Sequence, residues 1–222
     1  MADDLALRTG LVEQARALNS TGLSAGTSGN VSARCDGGFL ITPSGAAYDR
    51  LAPQDLVHMT PDGQFDLRQR PSSEWRMHRD LYASRADVQA VVHAHPPHCT
   101  ALAIHGREIP AVHYMVALSG GPTVRCAGYA TFGTQALSDA MLAAMQGRHC
   151  CLLAHHGMIA TGENLARAMW RAVELEALAQ QYLLALSLGP PPVLDEAEIA
   201  RVVQRFSGYG AGALAAPPAP AT

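Results

Sequence analysis

The run Ala90-Val91-Val92-His93-Ala94-His95 places two histidines two residues apart at the end of an apolar segment. Successive side chains of an extended chain point to opposite sides, so a strand here carries both imidazoles on one face. A second run, Cys150-Cys-Leu-Leu-Ala-His155-His156-Gly157, also ends in histidine. Read as a buried strand neighbouring the first, it brings a third nitrogen within coordination range. Three neutral imidazoles leave the open position of a catalytic zinc, unlike a closed structural one. Strand parity lets only one of His155 and His156 face that point, and spacing does not choose between them.

N-terminal to these runs, residues 4–20 place Leu7, Leu11, Ala15 and Leu18 at helical spacing until Thr21-Gly22 breaks it, which predicts an amphipathic first helix. Two β-like runs, 31–34 and 39–42, flank Asp36-Gly-Gly, a hairpin signal. A polar hairpin is expected around Pro61-Asp62-Gly63, and Pro71-Ser-Ser-Glu-Trp-Arg-Met-His78 reads as a capped helix start running to about Arg85. Residues 100–104 suggest a short helix. Residues 164–188 form a long one that Gly189-Pro-Pro-Pro192 terminates, and 195–206 a last one capped by Asp195. The uncharged Ala/Pro/Gly-rich stretch after Gly210 is expected to be disordered. Together these predict one mixed α/β domain built on a sheet with substantial antiparallel pairing.

A chain of 222 residues with 48% hydrophobic content can bury one sizeable core, and its net charge of −3 comes without the basic stripe of a nucleic-acid binder. The opening Met1-Ala-Asp-Asp-Leu5 is acidic, and no stretch nears the ~20 apolar residues of a membrane span, so a cytoplasmic location is expected. Cys35, Cys99, Cys126, Cys150 and Cys151 form an odd set with no C-x-x-C, which suits reduced, mostly buried thiols. All 16 of the Lys+Arg residues are arginine. A chain without lysine cannot use a lysine Schiff base or a phosphate-loop lysine.

Three short segments suit an anion. Ser72-Ser73-Glu74 at a helix start offers hydroxyls, unpaired N–H groups and the positive end of a helix dipole. The Gly26-Thr27-Ser-Gly-Asn30 loop and the Ser44-Gly45 turn let backbone amides approach a ligand closely. Glu74 beside a metal can serve as ligand, general base, or both in turn. Proton abstraction next to a ketone needs that pairing, and with lysine absent a metal is the remaining common electron sink for aldol chemistry.

In order along the chain, Gly26-Thr-Ser-Gly-Asn-Val-Ser32, Ile41-Thr-Pro-Ser-Gly45, Pro71-Ser-Ser-Glu-Trp-Arg76, Val92-His-Ala-His95, Tyr129-Ala-Thr-Phe-Gly-Thr134 and His155-His-Gly157 resemble the class II aldolase/adducin family. The resemblance runs from about residue 7 to 210. It implies a single domain over residues 1–210, with a central, largely antiparallel sheet flanked by helices and a tail at 211–222. It also implies that His93, His95 and His156 bind Zn2+, and that Glu74 is the acid/base as well as a ligand of the resting metal. Thr27, Asn30, Ser44, Gly45, Ser72 and Ser73 match the family's phosphate site. Tyr114 matches a tyrosine that exchanges a proton with the aldehyde or alcohol oxygen, reaching in from a neighbouring subunit of a four-fold homotetramer. Phe132 and Phe206 fall at the apolar wall of the aldehyde half, and Tyr209 is a further catalytic candidate on the C-terminal segment. The departure lies just beyond, where Tyr209-Gly-Ala-Gly-Ala-Leu-Ala-Ala-Pro lacks a charged ending.

The implied reaction is zinc-dependent, reversible cleavage of a ketose 1-phosphate, L-fuculose 1-phosphate or a close analogue, into dihydroxyacetone phosphate and a short aldehyde such as lactaldehyde. Alternatives on the same scaffold are an aldolase for 5-deoxyribulose 1-phosphate, a dehydratase, or a 4-epimerase, which would carry aspartate in place of Glu74. A non-catalytic adducin-like interaction domain would have no need of the histidines.

Overall fold

The first histidine run forms strand β4 (Ala90–Ala94), which in the computed structural model, describing residues 2–206, lies at the centre of a seven-stranded sheet. N-terminal to it come α1 (Ala2–Ser20), β1 (Asn30–Cys35), β2 (Gly38–Ile41), β3 (Val57–Met59) and α2 (Trp75–Ser84). After it come α3 (Pro97–Ile104), a 3-10 turn (Tyr114–Ser119), β5 (Cys126–Ala127), α4 (Gln135–Ala144), β6 (Cys150–Leu153), β7 (Gly157–Gly162), α5 (Leu165–Leu186) and α6 (Glu196–Phe206). The sheet order is β3-β2-β1-β4-β7-β6-β5, antiparallel throughout except for the β5–β6 pair. This is the mixed α/β, largely antiparallel single sheet that the sequence predicted.

Two cores sandwich the sheet, and period-two alternation assigns each strand residue to one of them. Val31, Ala33, Leu40, Val92, Leu152 and Met158 face α1, α3, α5 and α6. Phe39, Ile41, Val91, Cys151, Leu153 and Ile159 face α2 and α4. Each large aliphatic side chain so buried contributes about 1.5–3 kcal/mol relative to exposure, which is why β4 and β7, covered on both faces, are largely apolar. His93 shares the parity of Val91 and therefore points to the α2 side.

Side chains cap both C-terminal helices, the one at Asp195 as predicted. Asn164 Oδ1 accepts from Arg167 N at 2.8 Å to start α5, and Asp195 Oδ1 accepts from Glu198 N at 2.7 Å to start α6. The 36–37 hairpin also forms, with Cys35 opposite Gly38 and Gly37 at φ 74°.

Four expectations are corrected. The Pro61-Asp62-Gly63 segment is a turn closed by Thr60 N on Gln64 O, with no returning strand. Helix α2 begins at Trp75, and Ser72 and Ser73 lie in the turn before it, with Glu74 as cap residue. The second histidine strand, β6, does not neighbour β4, because β7 lies between them. His155 and His156 are in the β6–β7 turn, not in the strand, so parity does not govern them. His155 adopts φ 55°, a left-handed conformation without the glycine that would have signalled a reversal there.

Cys99, Cys150 and Cys151 are buried, and Cys35 and Cys126 half-buried. No helix among the described residues is long and apolar enough to cross a membrane. Tyr209 and the stretch after Gly210 lie outside the described residues.

Candidate active site

Four side chains from three separate places in the fold meet at the C-terminal end of β4. His93 ends the strand proper, His95 follows it, His156 closes the β6–β7 turn, and Glu74 caps α2. One ligand atom from each lies within 4.8 Å of all the others. The three imidazole centroids stand 4.8, 4.8 and 4.9 Å apart, a nearly equilateral triangle.

The close approach of these rings depends on Gly157. A Cβ there would sit 2.4 Å from the Ala94 carbonyl oxygen and 2.7 Å from His95 Cδ2, so only glycine lets β7 start beside the end of β4. His93 donates from Nδ1 to the Met158 carbonyl at 2.8 Å, which fixes its ring and turns Nε2 toward the cluster. That Nε2 lies 2.8 Å from Glu74 Oε2 and 2.9 Å from His95 Nε2. Glu74 Oε1 is 3.0 Å from His156 Nε2 but makes no hydrogen bond, leaving a buried carboxylate oxygen without a donor.

The electrostatics follow from this crowding. Burial pushes the Glu74 carboxyl up, but the charge of His93 and the contacts with His156 and His93 outweigh it, and the group is held below the usual carboxylate range. Burial alone would lower His93; the Glu74 charge reverses the direction and raises it. His95 is pushed down to about 3 by burial and then by His93 and His156. Three nitrogen lone pairs and a carboxylate oxygen converging on one point repel one another unless a proton or a cation stands between them. The donor set, N3O with one oxygen orphaned, therefore fits a divalent transition metal such as zinc. The metal's identity is not fixed by these residues.

A cleft of about 390 Å³ opens over this cluster. Thr27, Asn30, Ser44, Gly45, Ser72 and Ser73 all line it, as do Glu74, His95, His156 and Phe132. His93, fully buried, lies beneath. A bridge between Pro43 and Pro71 ties the serine turns together, with Ser44 N donating to Arg70 O and Ser72 N to Thr42 O. Those amides are thus already paired, and so is Glu74 N, which donates to Ser72 Oγ. The helix start offers an anion fewer free N–H groups than expected. No arginine is among the described residues that line it.

The opposite wall is Tyr129, Ala130 and Phe132, with Tyr129 edge-on to His155 at 5.8 Å. Tyr129 and Ser28 were not singled out from sequence, though both lie inside quoted motifs; His155, weighed there against His156 as a metal ligand, lines the cleft without joining the cluster. Two candidates stand elsewhere. Tyr114 is 49% exposed at the start of the 3-10 turn, outside its own chain's cleft. Phe206 packs edge-on against Trp170 of α5 and does not line the cleft either.

Comparison with known proteins agrees with the geometry. A family profile described as the class II aldolase and adducin N-terminal domain matches residues 9–183. The chain is 51% identical over 216 residues to a 5-methylthioribulose-1-phosphate/5-deoxyribulose-1-phosphate aldolase of Rhodospirillum rubrum, covering 97% of this chain and 98% of that protein. It is 46% identical over 201 residues to the L-fuculose phosphate aldolase of Escherichia coli K12, covering 90% and 94%. A solved structure of an L-fuculose 1-phosphate aldolase superposes with a TM-score of 0.88 at 37% identity, covering 91% of this chain and 96% of that one.

Proposed function

Because the chain belongs to the class II aldolase and adducin family and is an enzyme of its metal-dependent aldehyde-lyase type, we propose that it reversibly cleaves a ketose 1-phosphate into dihydroxyacetone phosphate and a short aldehyde. The observation that carries this reading is the convergence of Glu74, His93, His95 and His156 at the floor of a cleft of sugar-phosphate size. His93, His95 and His156 hold Zn2+ in this reading, with Glu74 as fourth ligand at rest. When bound, the cation supplies the positive charge that stabilises negative charge developing on the ketose oxygens.

The chain's own groups do the rest. Thr27, Asn30, Ser44, Gly45, Ser72 and Ser73 hold the phosphate with neutral donors. Glu74, anionic and 6% exposed, removes the carbon-bound proton in the condensation direction; in cleavage its protonated form returns one to the carbon freed when the C3–C4 bond breaks, and the proton lost from the C4 hydroxyl balances the one gained there. Tyr114, exposed and not lining its own chain's cleft, exchanges the proton of the C4 hydroxyl in the site of a neighbouring copy. That role requires an oligomer, a homotetramer by family resemblance.

Tyr129, Ala130 and Phe132 present an apolar wall where the aldehyde half lies, which suits a methyl or thiomethyl end. The R. rubrum relative's name favours 5-deoxypentulose 1-phosphates, and the E. coli relative's name L-fuculose 1-phosphate. One methyl group discriminates by only about 1–3 kcal/mol, so both are expected to be cleaved. Glutamate at 74 disfavours a 4-epimerase, and the complete histidine set disfavours a non-catalytic interaction domain.

The test is Glu74→Gln, assayed for dihydroxyacetone phosphate release from fuculose 1-phosphate, ribulose 1-phosphate and 5-deoxyribulose 1-phosphate. Loss of general acid/base function predicts a fall of about 100-fold or more. A variant with full cleavage activity would remove Glu74 from its role.

A further inference from the structure

Glu74, His78 and Tyr82 stand at i, i+4 and i+8 on α2 and its cap, one stripe facing the sheet. Asn30 and Ser32 stand two apart on β1 and share the face opposite to Val31. Four helical residues advance about 6 Å and two strand residues about 6.6 Å, so the two stripes run in step and interlock. A buried chain of hydrogen bonds results. Tyr82 Oη lies 2.7 Å from Ser32 Oγ, Ser32 Oγ 2.6 Å from His78 Nδ1, His78 Nε2 2.5 Å from Asn30 Oδ1, and Asn30 Nδ2 3.2 Å from Glu74 Oε2.

The direction of every bond is forced. An ionised carboxylate only accepts, so Asn30 turns its NH2 to Glu74 and its carbonyl to His78. A carbonyl only accepts, so His78 carries its proton on Nε2 and leaves Nδ1 bare. Nδ1 then takes the Ser32 hydroxyl hydrogen, and Ser32 Oγ takes that of Tyr82. Burial, and then the neighbouring His93, push the His78 ring down to about 3, consistent with a neutral ring. The chain ends inside the core at Tyr82, and an amide does not readily pass a proton, so it orients and does not conduct.

We propose that His78 is a positioning residue: its Nε2–H tautomer, set by Ser32 and Tyr82, holds the Asn30 amide in the one orientation that donates to Glu74 and aims that carboxylate at the three imidazoles. This rests on the reading of Glu74 as ligand and base. If Ser32 is lost, the proton is free to move to Nδ1. Asn30 then turns over, and its carbonyl faces the carboxylate.

The test has a readout that needs no substrate. In 15N-histidine-labelled protein, NMR should show His78 neutral and protonated on Nε2, with the tautomer shifted in Ser32→Ala. His78→Gln, whose NH2 can replace the Nε2 donor, should keep kcat and zinc affinity within about threefold. His78→Leu and Ser32→Ala should lose about 10–100-fold in both, with KM changed less than kcat. A His78 proton on Nδ1, a Ser32→Ala protein with unchanged kcat and zinc affinity, or equal losses in the Gln and Leu variants would overturn the proposal. If His78→Leu fails to fold, Ser32→Ala and His78→Gln decide it. A wild-type protein without cleavage activity but with the Nε2 tautomer would sink the functional reading instead, leaving the tautomer and zinc measurements to judge His78.

Discussion

Substituting Gly157 by alanine adds one carbon at the place where the sheet and the site are tightest. The added Cβ would lie 2.4 Å from the Ala94 carbonyl oxygen, 2.7 Å from His95 Cδ2 and 3.2 Å from His95 Cα, short of ordinary contact by about 1 Å at the worst point. The obstructing atoms are mainly backbone of the strand end, so no rotamer change relieves the clash; β4 and β7 must part there. Forced overpacking of this kind costs about 1–3 kcal/mol, and at about 2–4 °C per kcal/mol for a domain of this size the expected loss in Tm is about 2–12 °C. The chemistry suffers as well, because His95 and the His156 turn are carried on the two segments that separate. A displacement near 1 Å in a catalytic constellation costs about 100-fold. Thermal melting by circular dichroism, zinc content after dialysis and the rate of dihydroxyacetone phosphate release check the three consequences. A Gly157→Ala protein with wild-type Tm, metal content and kcat would refute the claim that this close approach builds the site.

Asn164→Ala removes the cap of α5 and should cost about 1 kcal/mol, read as a Tm lower by about 2–4 °C with kcat unchanged, since Asn164 touches nothing in the cleft. His149 is held down to about 4 by burial, then by Arg171 and Arg85, with Asp87 and Glu163 opposing. A folded value below the unfolded one means the unfolded chain binds the proton first. His149 therefore costs no stability above about pH 6.5, and stability is lost as pH falls from there through 4. Tm measured at pH 7 and 5 should accordingly differ more in the wild type than in His149→Gln. Removing the metal with a chelator should abolish cleavage and lower Tm while the far-ultraviolet spectrum stays near native, because the sheet has its own two cores; at a free zinc concentration 100-fold above Kd the lost stabilisation is about 2.7 kcal/mol. A chelated protein that unfolds at room temperature would mark the metal as structural instead.

Periodicity carried most of the fold. Leu11, Ala15 and Leu18 declared α1, the alternation around Asp36-Gly37 declared the first hairpin, and the apolar run before His93 declared β4. What failed was the reversal after β6. His155 takes a left-handed conformation with no glycine or proline at its own position to announce it, so β7 went unpredicted and His156 was placed on a strand it does not occupy. The candidate cluster was legible because two apolar runs each end in a pair of histidines. The hydroxyl-rich side of the cleft was legible only as separate polar loops, since their meeting depends on the Pro43–Pro71 bridge, a contact between distant segments. His78 passed unremarked, although Glu74, His78 and Tyr82 at four-residue intervals were in plain view, because a polar stripe on a helix ordinarily faces solvent and here it faces β1.

The sheet order also bears on how the chain must be made. Strands β1 to β4 form one contiguous half, β5 to β7 the other, and the two halves meet along the β4–β7 pairing. As the chain leaves the ribosome N-terminus first, β4 emerges with Val91 and Val92 on it and no partner for its outer edge. Gly157–Gly162 follows roughly 3–13 seconds later at synthesis rates of about 5–20 residues per second. For that interval the nascent protein presents an unprotected apolar edge, the kind of surface that recruits other strands. Enzyme and aggregation hazard are therefore the same strand at two moments, and chains truncated before Gly157 should need a chaperone to stay dispersed.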